Sequence, residues 1–279
     1  MGTLIHPLQS ADDHAAYVGT IPENYHRGVG SFLFDPYAQE LARRAEALAP
    51  DRLLETACGT GIATRRLREA LPPQVELVAT DLHEPMLAVA RRTVRSRGQV
   101  RFQQADMTAL PFDGAGFDAL VCQFGLMFVP DKPAAAREAR RVLRPGGQVL
   151  MATWRSLAHN EPIRLAHETV SRLFPYDPPR FYLIQTGFGE PEYMRRLLAN
   201  AGFVEISTEV VEKRTSAPSA VEVAVGLIEG FPIVDYIRAR DPSLVPVAVA
   251  ELARAFVAHF GDHPMAGTVE ALITTATAP

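Results

Sequence analysis

Residues 53–61 read LLETACGTG, an apolar stretch that ends abruptly in a turn with two glycines. The apolar residues predict a buried strand, and glycine permits the positive φ angles and the close backbone approach that a tight turn requires. Turns of this kind hold phosphates, dinucleotides or nucleosides. The positions of the next acidic residues indicate which of these ligands is bound.

The residues around the turn complete neither of the two phosphate-binding motifs. A P-loop has lysine and then serine or threonine after its last glycine, whereas Ile62 and Ala63 follow Gly61. A dinucleotide fingerprint has a third glycine for close packing of the helix, and counted from Gly59 that position is Thr64. A phosphate ligand is therefore poorly supported.

Three acidic residues follow successive predicted strands: Glu55 beside the turn, Asp81 after the second strand and Asp106 after the third. Because parallel sheets bind ligands at the carboxyl ends of their strands, we expect the three carboxylates to line one crevice. They would repel a pyrophosphate but suit a nucleoside that carries positive charge. Asp81 lies 20 residues beyond Gly61, the spacing at which an acidic residue accepts hydrogen bonds from ribose hydroxyls.

The rest of the chain predicts an α/β fold. Apolar runs alternate with amphipathic stretches over residues 52–154, as in βα units that form a parallel sheet covered on both faces. Asp131 is predicted to cap a helix, and residues 144–147 (RPGG) to form a helix stop and a tight turn. The predicted strands are 52–56, 75–80, 100–105, 117–123 and 148–154, with further candidates at 203–211 and 268–275.

We expect one domain over residues 1–279, because no repeat or low-complexity linker divides the chain. Its core motifs lie in 50–155. The segments 1–50, 155–190 and 214–265 are interpreted as additions that pack over the sheet as a lid or substrate-binding part, and 221–260 is predicted to be largely helical.

Five motifs in order along the chain resemble the class I S-adenosylmethionine-dependent methyltransferases. Within that class they are similar to the type 11 group, which is ubiquinone/menaquinone-biosynthesis-like. The motifs are ETACGTG at 55–61, ATD at 79–81 with PML at 85–87, ADM at 105–107 with LPF at 110–112, FDALVC at 117–122, and RVLRPGG at 141–147. The resemblance implies a Rossmann-like, doubly wound, mostly parallel sheet of seven strands with an antiparallel last strand and helical lid insertions.

The same resemblance implies that the cofactor is S-adenosylmethionine, with S-adenosylhomocysteine as the product and no metal. Asp81 would accept the ribose hydroxyls, Glu55 would face the ammonium group, and Asp106 would accept from the adenine amine. The cofactor-binding residues that it implies are Tyr25, Glu55, Ala57, Cys58, Gly59, Gly61, Asp81, Leu82, Met86, Asp106, Met107 and Gln123.

Two of these positions depart from the typical family pattern, and two aromatic residues have a second explanation. Ala57 stands where most members of the family have glycine, and Glu55 where many have aspartate, which bears on local geometry more than on cofactor identity. Tyr25 and Phe34 resemble residues that such enzymes place over the cofactor, and ordinary core packing explains each of them equally well.

Composition and charge limit the classes of partner and the cellular compartment that we expect. A net charge of −4 gives no basic face for nucleic acid, so the predicted partner is a small-molecule methyl acceptor. Two cysteines without a CxxC pair fit a reducing cytoplasm, and the sequence shows neither a signal peptide nor an apolar run long enough to span a membrane. The sequence is compatible with a homodimer.

Methyl transfer by direct in-line displacement needs few dedicated catalytic groups. It needs a pocket that excludes water, because positive charge disappears as the product forms. If a base is used, His159 and then His26 are the candidates, although surface or core roles are more usual for histidine. A catalytically silent cofactor-binding protein and a nicotinamide-dependent dehydrogenase are the alternatives. An apolar or aromatic acceptor is suggested by six aromatic residues: Phe174, Tyr176, Phe181, Tyr182, Phe188 and Phe231.

Overall fold

A seven-stranded sheet forms the centre of the part of the chain that the computed structural model describes, residues 17–95 and 98–279. The strands are β1 Arg52–Thr56, β2 Glu76–Asp81, β3 Val100–Gln104, β4 Phe117–Gln123, β5 Leu143–Trp154, β6 Val204–Ala217 and β7 Met265–Thr277. Their order in the sheet is β3-β2-β1-β4-β5-β7-β6. Strands β1 to β5 pair in parallel, and β7 pairs antiparallel with both β5 and β6. The predicted fold class is confirmed.

Helices cover both faces of the sheet. They are α1 Ile21–Gly28, α2 Asp35–Ala47, α3 Ile62–Ala70, α4 Glu84–Thr93, α5 Lys132–Val142, α6 Glu161–Leu173, α7 Phe181–Thr186, α8 Pro191–Asn200, α9 Ala220–Glu229, α10 Ile233–Arg240 and α11 Leu244–Phe260. A π-helical turn spans Gly30–Phe34, and 3₁₀ turns span Leu126–Phe128 and Leu157–His159. Asp131 caps α5 as predicted, since its side chain accepts from the N–H of Ala134 at 2.8 Å.

Leu53 and Leu54, adjacent residues of β1, belong to different hydrophobic cores, which is why both of these positions are apolar. Leu53 packs in the cluster that contains Leu41 of α2 and Leu67 of α3. Leu54 packs in the cluster that contains Ala135 of α5. Alternate side chains point to opposite faces of a strand, so a buried central strand must be apolar on both.

The binding edge of the sheet is set by its topology. Strand β1 pairs with β2 on one side and β4 on the other, so the chain reverses its direction of winding between β1 and β4. In open α/β sheets, ligands bind outside the carboxyl ends of the strands at this reversal. The glycine turn of residues 57–61 lies there, directly after β1.

The helix stop predicted at residues 144–147 is confirmed, because α5 ends at Val142, but the separate turn before the strand is not found. Strand β5 begins at Leu143 and continues through these residues, with an irregularity in its pairing to β4. Gly146, at φ +79°, donates its N–H to Ala278, and Gly147 accepts from the N–H of the same residue. Two main-chain hydrogen bonds to Ala278 therefore hold a bulge within β5, in a segment whose local sequence favours a turn.

The segments predicted to form a lid pack against one another. Helix α1 crosses α9 at backbone distance, since a Cβ atom on Gly28 would lie 2.4 Å from the Cα of Gly226. The ring of Tyr25 meets Phe231 edge to face at 5.4 Å between centroids. Residues 1–16 of the predicted segment 1–50 lie outside the described residues. Within the described residues, no helix combines the length and the apolar composition needed to cross a bilayer.

Candidate active site

A cavity of about 450 Å³ opens at the carboxyl ends of β1, β2 and β4, a volume in the range of small-molecule sites. We divide it by the elements that line it. The β2–β3 half is lined by Asp81, Leu82, His83, Met86, Asp106 and Met107. The α7 half is lined by Phe128, Val129, Phe181, Ile184, Gln185 and Phe231. The residues between them include Tyr25, Phe34, Ala57, Gly59, Gln123 and Gly125.

Asp81 ends β2 with both carboxylate oxygens bonded to the main chain. Its Oδ2 accepts from the N–H of Gly59 at 2.8 Å and its Oδ1 accepts from the N–H of His83 at 2.9 Å. Burial raises the pKa of this carboxyl, and the two N–H donors oppose the shift. The side chain thus links the glycine turn to the start of α4 and presents a carboxylate to the cavity.

Glu55 lies beneath the glycine turn, beside a second, smaller cavity that Tyr25 and Gln123 also line. It is 1% exposed, and its Oε2 makes no hydrogen bond with the described residues. Burial raises the pKa of Glu55 to about 8; hydrogen bonding by Thr64 opposes this shift, and the nearby charge of Asp81 adds to it. A buried carboxyl in this state favours a ligand group that is positively charged or donates a hydrogen bond.

Asp106 follows β3 and lines the β2–β3 half of the cavity. Its Oδ1 accepts from both the N–H and the hydroxyl of Thr108 at 2.8 Å, which fixes the turn and leaves the exposed carboxylate facing the cavity. Two apolar side chains lie beside it, the half-exposed Leu82 and the buried Met107. A flat polar ring could contact apolar groups here while its edge meets a carboxylate.

The glycine turn contains a residue with a side chain at an unfavourable backbone angle. Ala57 has φ +52°, in the left-handed region that glycine adopts more easily. Gly125 compensates for it, because a Cβ atom on Gly125 would lie only 2.2 Å from the Cβ of Ala57. The methyl group of Ala57 thus fills space that a glycine in the neighbouring turn leaves free.

Two groups of aromatic rings form the walls. Tyr25 stacks on Phe34 with 4.8 Å between centroids, and Phe124 stacks on Trp154 at 3.9 Å. In the α7 half, Phe128 stacks on Phe181 at 5.6 Å, and Phe181 lies 5.2 Å from Phe231. These contacts give the cavity a largely apolar lining.

Comparison with known proteins identifies the family. Residues 53–147 match the model of a methyltransferase domain family. A demethylmenaquinone methyltransferase of Thermus thermophilus is 36% identical over 171 residues, which are 56% of this chain and 75% of that protein. The ubiquinone/menaquinone biosynthesis C-methyltransferase UbiE of Shewanella oneidensis is 32% identical over 171 residues, 56% of this chain and 67% of that protein. The chain belongs to the UbiE-type class I S-adenosylmethionine-dependent methyltransferases.

The fold of this methyltransferase is shared by solved structures of low sequence identity. Phosphoethanolamine N-methyltransferase 2 of Haemonchus contortus, solved in complex with S-adenosylmethionine, is 17% identical with a TM-score of 0.52. The match covers 94% of this chain and 60% of that one. Membership of the family also decides against the nicotinamide-dependent dehydrogenase.

The methyltransferase brings together most of the residues predicted to bind the cofactor. The main cavity is lined by Tyr25, Ala57, Gly59, Asp81, Leu82, Met86, Asp106, Met107 and Gln123. The smaller cavity adds Glu55 and Cys58. Gly61 lines neither, but it caps α3 at φ +81°, where a Cβ would lie 2.6 Å from Val94. Their roles in binding stay predictions.

The two histidines proposed as bases line neither cavity of the methyltransferase. The Nδ1 of His26 lies 3.0 Å from the hydroxyl of Thr60, and burial lowers the pKa of this histidine. His159 is exposed and its Nδ1 lies 2.9 Å from the hydroxyl of Ser156. A catalytic role for either would require movement toward the cavity.

Four of the six aromatic residues expected to line the acceptor pocket lie elsewhere. Only Phe181 and Phe231 line the cavity. Tyr182 is fully buried and donates to Leu227 at 2.6 Å, and Tyr176 is fully exposed. The other two are engaged by neighbours: Phe174 contacts Tyr236, and Phe188 contacts Tyr193. Aromatic content alone does not distinguish a cavity wall from a core.

The structure also adds lining residues that the sequence analysis did not name, among them Phe124, Phe128, Ile184 and Gln185. The α7 residues carry a signal in the sequence, since Phe181, Ile184 and Gln185 share one helical face at spacing i, i+3, i+4. A glutamine that interrupts such an apolar face marks a polar group directed at whatever the face covers.

Proposed function

We propose that this methyltransferase acts on a small apolar or aromatic acceptor and methylates one of its oxygen or carbon atoms. The observation that carries the proposal is the α7 half of the cavity, where Phe128, Phe181 and Phe231 form an aromatic wall. A flat ring packs on such a wall by stacking or by edge contacts. The relatives named for menaquinone and ubiquinone biosynthesis are consistent with a ring compound of this class.

In this proposal the β2–β3 half and the glycine turn hold S-adenosylmethionine. Asp81 binds the ribose hydroxyls, Leu82 and Met107 contact the two faces of the adenine, and Asp106 accepts from its amine. Tyr25 covers the bound cofactor, and Met86 packs beneath the turn, where its Cε lies 3.6 Å from the place of a Cβ on Gly59. The remaining residues near the methionyl part are Ala57, Cys58, Gly59, Gly61 and Gln123.

The chemistry of Glu55 supports this fit. Its Oε2 makes no hydrogen bond with the described residues, although the side chain is 1% exposed. An ammonium group, directly or through water, would supply the missing donor and a compensating charge. Two buried carboxyls in one region, Glu55 and Asp81, also favour a ligand with net positive charge.

When bound, the cofactor supplies an electrophilic methyl group for direct in-line displacement by the acceptor. The chain orients the acceptor and excludes water from the reacting groups. The aromatic walls do the first, and the packed rings of Tyr25, Phe34 and Phe231 do the second. Since charge disappears during the reaction, an apolar environment favours the transition state over the charged reactants.

The proton of a hydroxyl acceptor has no evident base among the two predicted histidines. We therefore expect His159→Gln and His26→Gln to keep kcat within about tenfold of the wild-type value, because neither ring lines the cavity. A loss of more than about a hundredfold in either variant, with cofactor affinity retained, would show that the histidine moves in to act as the base.

We further propose that the chain is one domain in which 17–50, 155–190 and 214–265 form the lid over the acceptor. The contacts of α1 with α9, and of Phe181 with Phe231, support this arrangement because they join all three segments. A small-molecule acceptor and not nucleic acid fits the net charge of −4.

The test is a screen of phenols, hydroquinones, enols and amines with methyl-labelled S-adenosylmethionine. We expect transfer to aromatic hydroxyl or ring-carbon acceptors, read out by mass spectrometry of the product. Transfer only to protein or nucleic acid would refute the small-molecule proposal, and cofactor binding without turnover on any acceptor would favour the catalytically silent alternative.

A further inference from the structure

Gln185 is a buried polar residue in an apolar wall. It lies in α7 between Ile184 and Thr186, is 1% exposed, and lines the cavity together with Phe181. Its Oε1 makes no hydrogen bond with the described residues. A buried amide oxygen without a partner loses its interaction with water and gains nothing in return.

The other polar groups of α7 are already bonded. The hydroxyl of Tyr182 donates to the carbonyl of Leu227 at 2.6 Å, and the hydroxyl of Thr186 donates to the carbonyl of Tyr182 at 2.8 Å. Both side chains are buried; the first bond ties α7 to α9, and the second lies within α7. Gln185 is thus the buried polar side chain of this short helix whose oxygen has no hydrogen-bond partner among the described residues. That oxygen is itself buried, so the amide must rotate to present it to a ligand in the cavity.

The surroundings define what that group must look like. Phe181 precedes Gln185 by one helical turn, and its ring contacts both Phe128 and Phe231. A flat ring against these aromatics would lie within the same half of the cavity as the glutamine. The group that reaches Oε1 must donate a hydrogen bond, so an apolar ring with an O–H or N–H substituent combines both features.

Resting on the proposed function, we propose that Gln185 recognises the methyl acceptor by accepting a hydrogen bond from a hydroxyl or N–H group on its ring. The residue determines specificity and does not take part in the chemical step. A pocket that bonds a substrate hydroxyl rejects the analogue that lacks it, because the pocket's own polar group is then buried without a partner.

The experiment compares two probes of similar shape, 1-naphthol and 1-methylnaphthalene, binding to the protein loaded with S-adenosylhomocysteine. Calorimetry or naphthalene fluorescence gives the two dissociation constants. We expect wild-type protein to bind 1-naphthol about tenfold or more tightly than 1-methylnaphthalene, the effect of one hydrogen bond. In Gln185→Leu the preference is expected to disappear.

Gln74→Leu is the matched control, because it makes the same chemical change at an exposed position that does not line the cavity. It should keep the wild-type preference. Gln185→Met provides a second apolar replacement if the leucine variant does not fold, and unchanged affinity for S-adenosylhomocysteine shows that either variant is intact.

The outcomes separate the two proposals. If both probes bind wild-type protein equally, or if the preference survives in Gln185→Leu, the role of Gln185 is overturned while an aromatic acceptor remains supported. If neither probe binds, the aromatic acceptor itself fails, and the recognition role fails with it.

Discussion

The Oδ2 of Asp81 accepts a hydrogen bond from the main-chain N–H of Gly59 at 2.8 Å, which joins the end of β2 to the turn after β1. The Oδ1 of the same residue accepts from His83 at the start of α4. One carboxylate therefore fixes two turns that face the cavity. A ligand bound to Asp81 is positioned relative to both.

Replacing Asp81 with asparagine is expected to weaken S-adenosylmethionine binding by about 1–3 kcal/mol, because the ribose loses a charged acceptor and one turn loses an acceptor for its N–H. Calorimetric titration of the folded variant measures this directly. Unchanged affinity would show that the assignment of the ribose to Asp81 is wrong.

Asp118 offers a matched control for this variant. Its Oδ2 also accepts two main-chain N–H bonds, from Asp51 and Arg52 at 2.7 Å each, but at the amino ends of β1 and β4. Asp118→Asn should lower the free energy of unfolding and leave cofactor affinity within about twofold. Equal losses of affinity in both variants would mean that the effect of Asp81→Asn is structural.

The sequence predicted the sheet well because the information is local. Apolar runs and strand-end punctuation are read within a few residues, so the strand containing Leu54 and the placement of Glu55 and Asp81 at one edge followed from them. Residues 144–147 were predicted to precede the strand, but they form a bulge within β5 that is bonded to Ala278, more than a hundred positions away. The prediction ended strand β6 at residue 211. The residues that follow are charged and break the apolar pattern, but they still pair with β7.

The candidate site was predictable where function depends on residue type and position. Carboxylates at strand ends carry their own signal, whereas Gly125 matters only because Ala57 is its neighbour in space. Most residues that line the α7 half were not predicted, for the same reason. Whether Phe181 or Phe174 faces the cavity depends on how the helices pack, and the sequence alone does not give that packing.

Cofactor binding at pH 7 is expected to release protons from the protein. Burial raises the pKa of Glu55 to about 8, so most of this carboxyl is protonated in the free protein at neutral pH. An ammonium group nearby favours the carboxylate and lowers that pKa, which expels the proton. Release approaching about one proton per cofactor is measured by calorimetry in buffers of different ionisation enthalpy.

Glu55→Gln should abolish most of this release, while Glu76→Gln, at an exposed residue of β2, should not. At about pH 9.5 the wild-type release should also vanish, because the carboxyl is then ionised before binding. Proton release that persists in Glu55→Gln would assign it to the cofactor or to another group.

The free energy of unfolding of the cofactor-free protein should also depend on the ionisation of Glu55. A pKa of about 8 in the folded state exceeds the unfolded value of 4.5, so the folded state binds the proton more tightly. This contribution is fully present below pH 4.5 and is lost as the pH rises through 8. Urea unfolding between about pH 6 and about pH 9 should therefore show a larger loss of free energy in wild-type protein than in Glu55→Gln, and equal losses would contradict the raised pKa.

Gly125→Ala tests the packing of the glycine turn. The new Cβ would lie 2.2 Å from the Cβ of Ala57 and 3.3 Å from the Sγ of Cys122, so one of the two turns must shift. We expect a loss of about 1–3 kcal/mol in the free energy of unfolding, as for other overpacked sites, together with weaker cofactor binding. Both follow from urea titration and calorimetry.

The double variant Ala57→Gly with Gly125→Ala should recover most of that loss, because removing the methyl group at position 57 frees the space that the new methyl group at position 125 needs. Ala57→Gly alone also relieves a side chain at φ +52°, so the coupling between the two sites must be taken from the full double-mutant cycle. Additive effects in that cycle would mean that the two turns do not compete for space, and that the alanine at position 57 is tolerated for another reason.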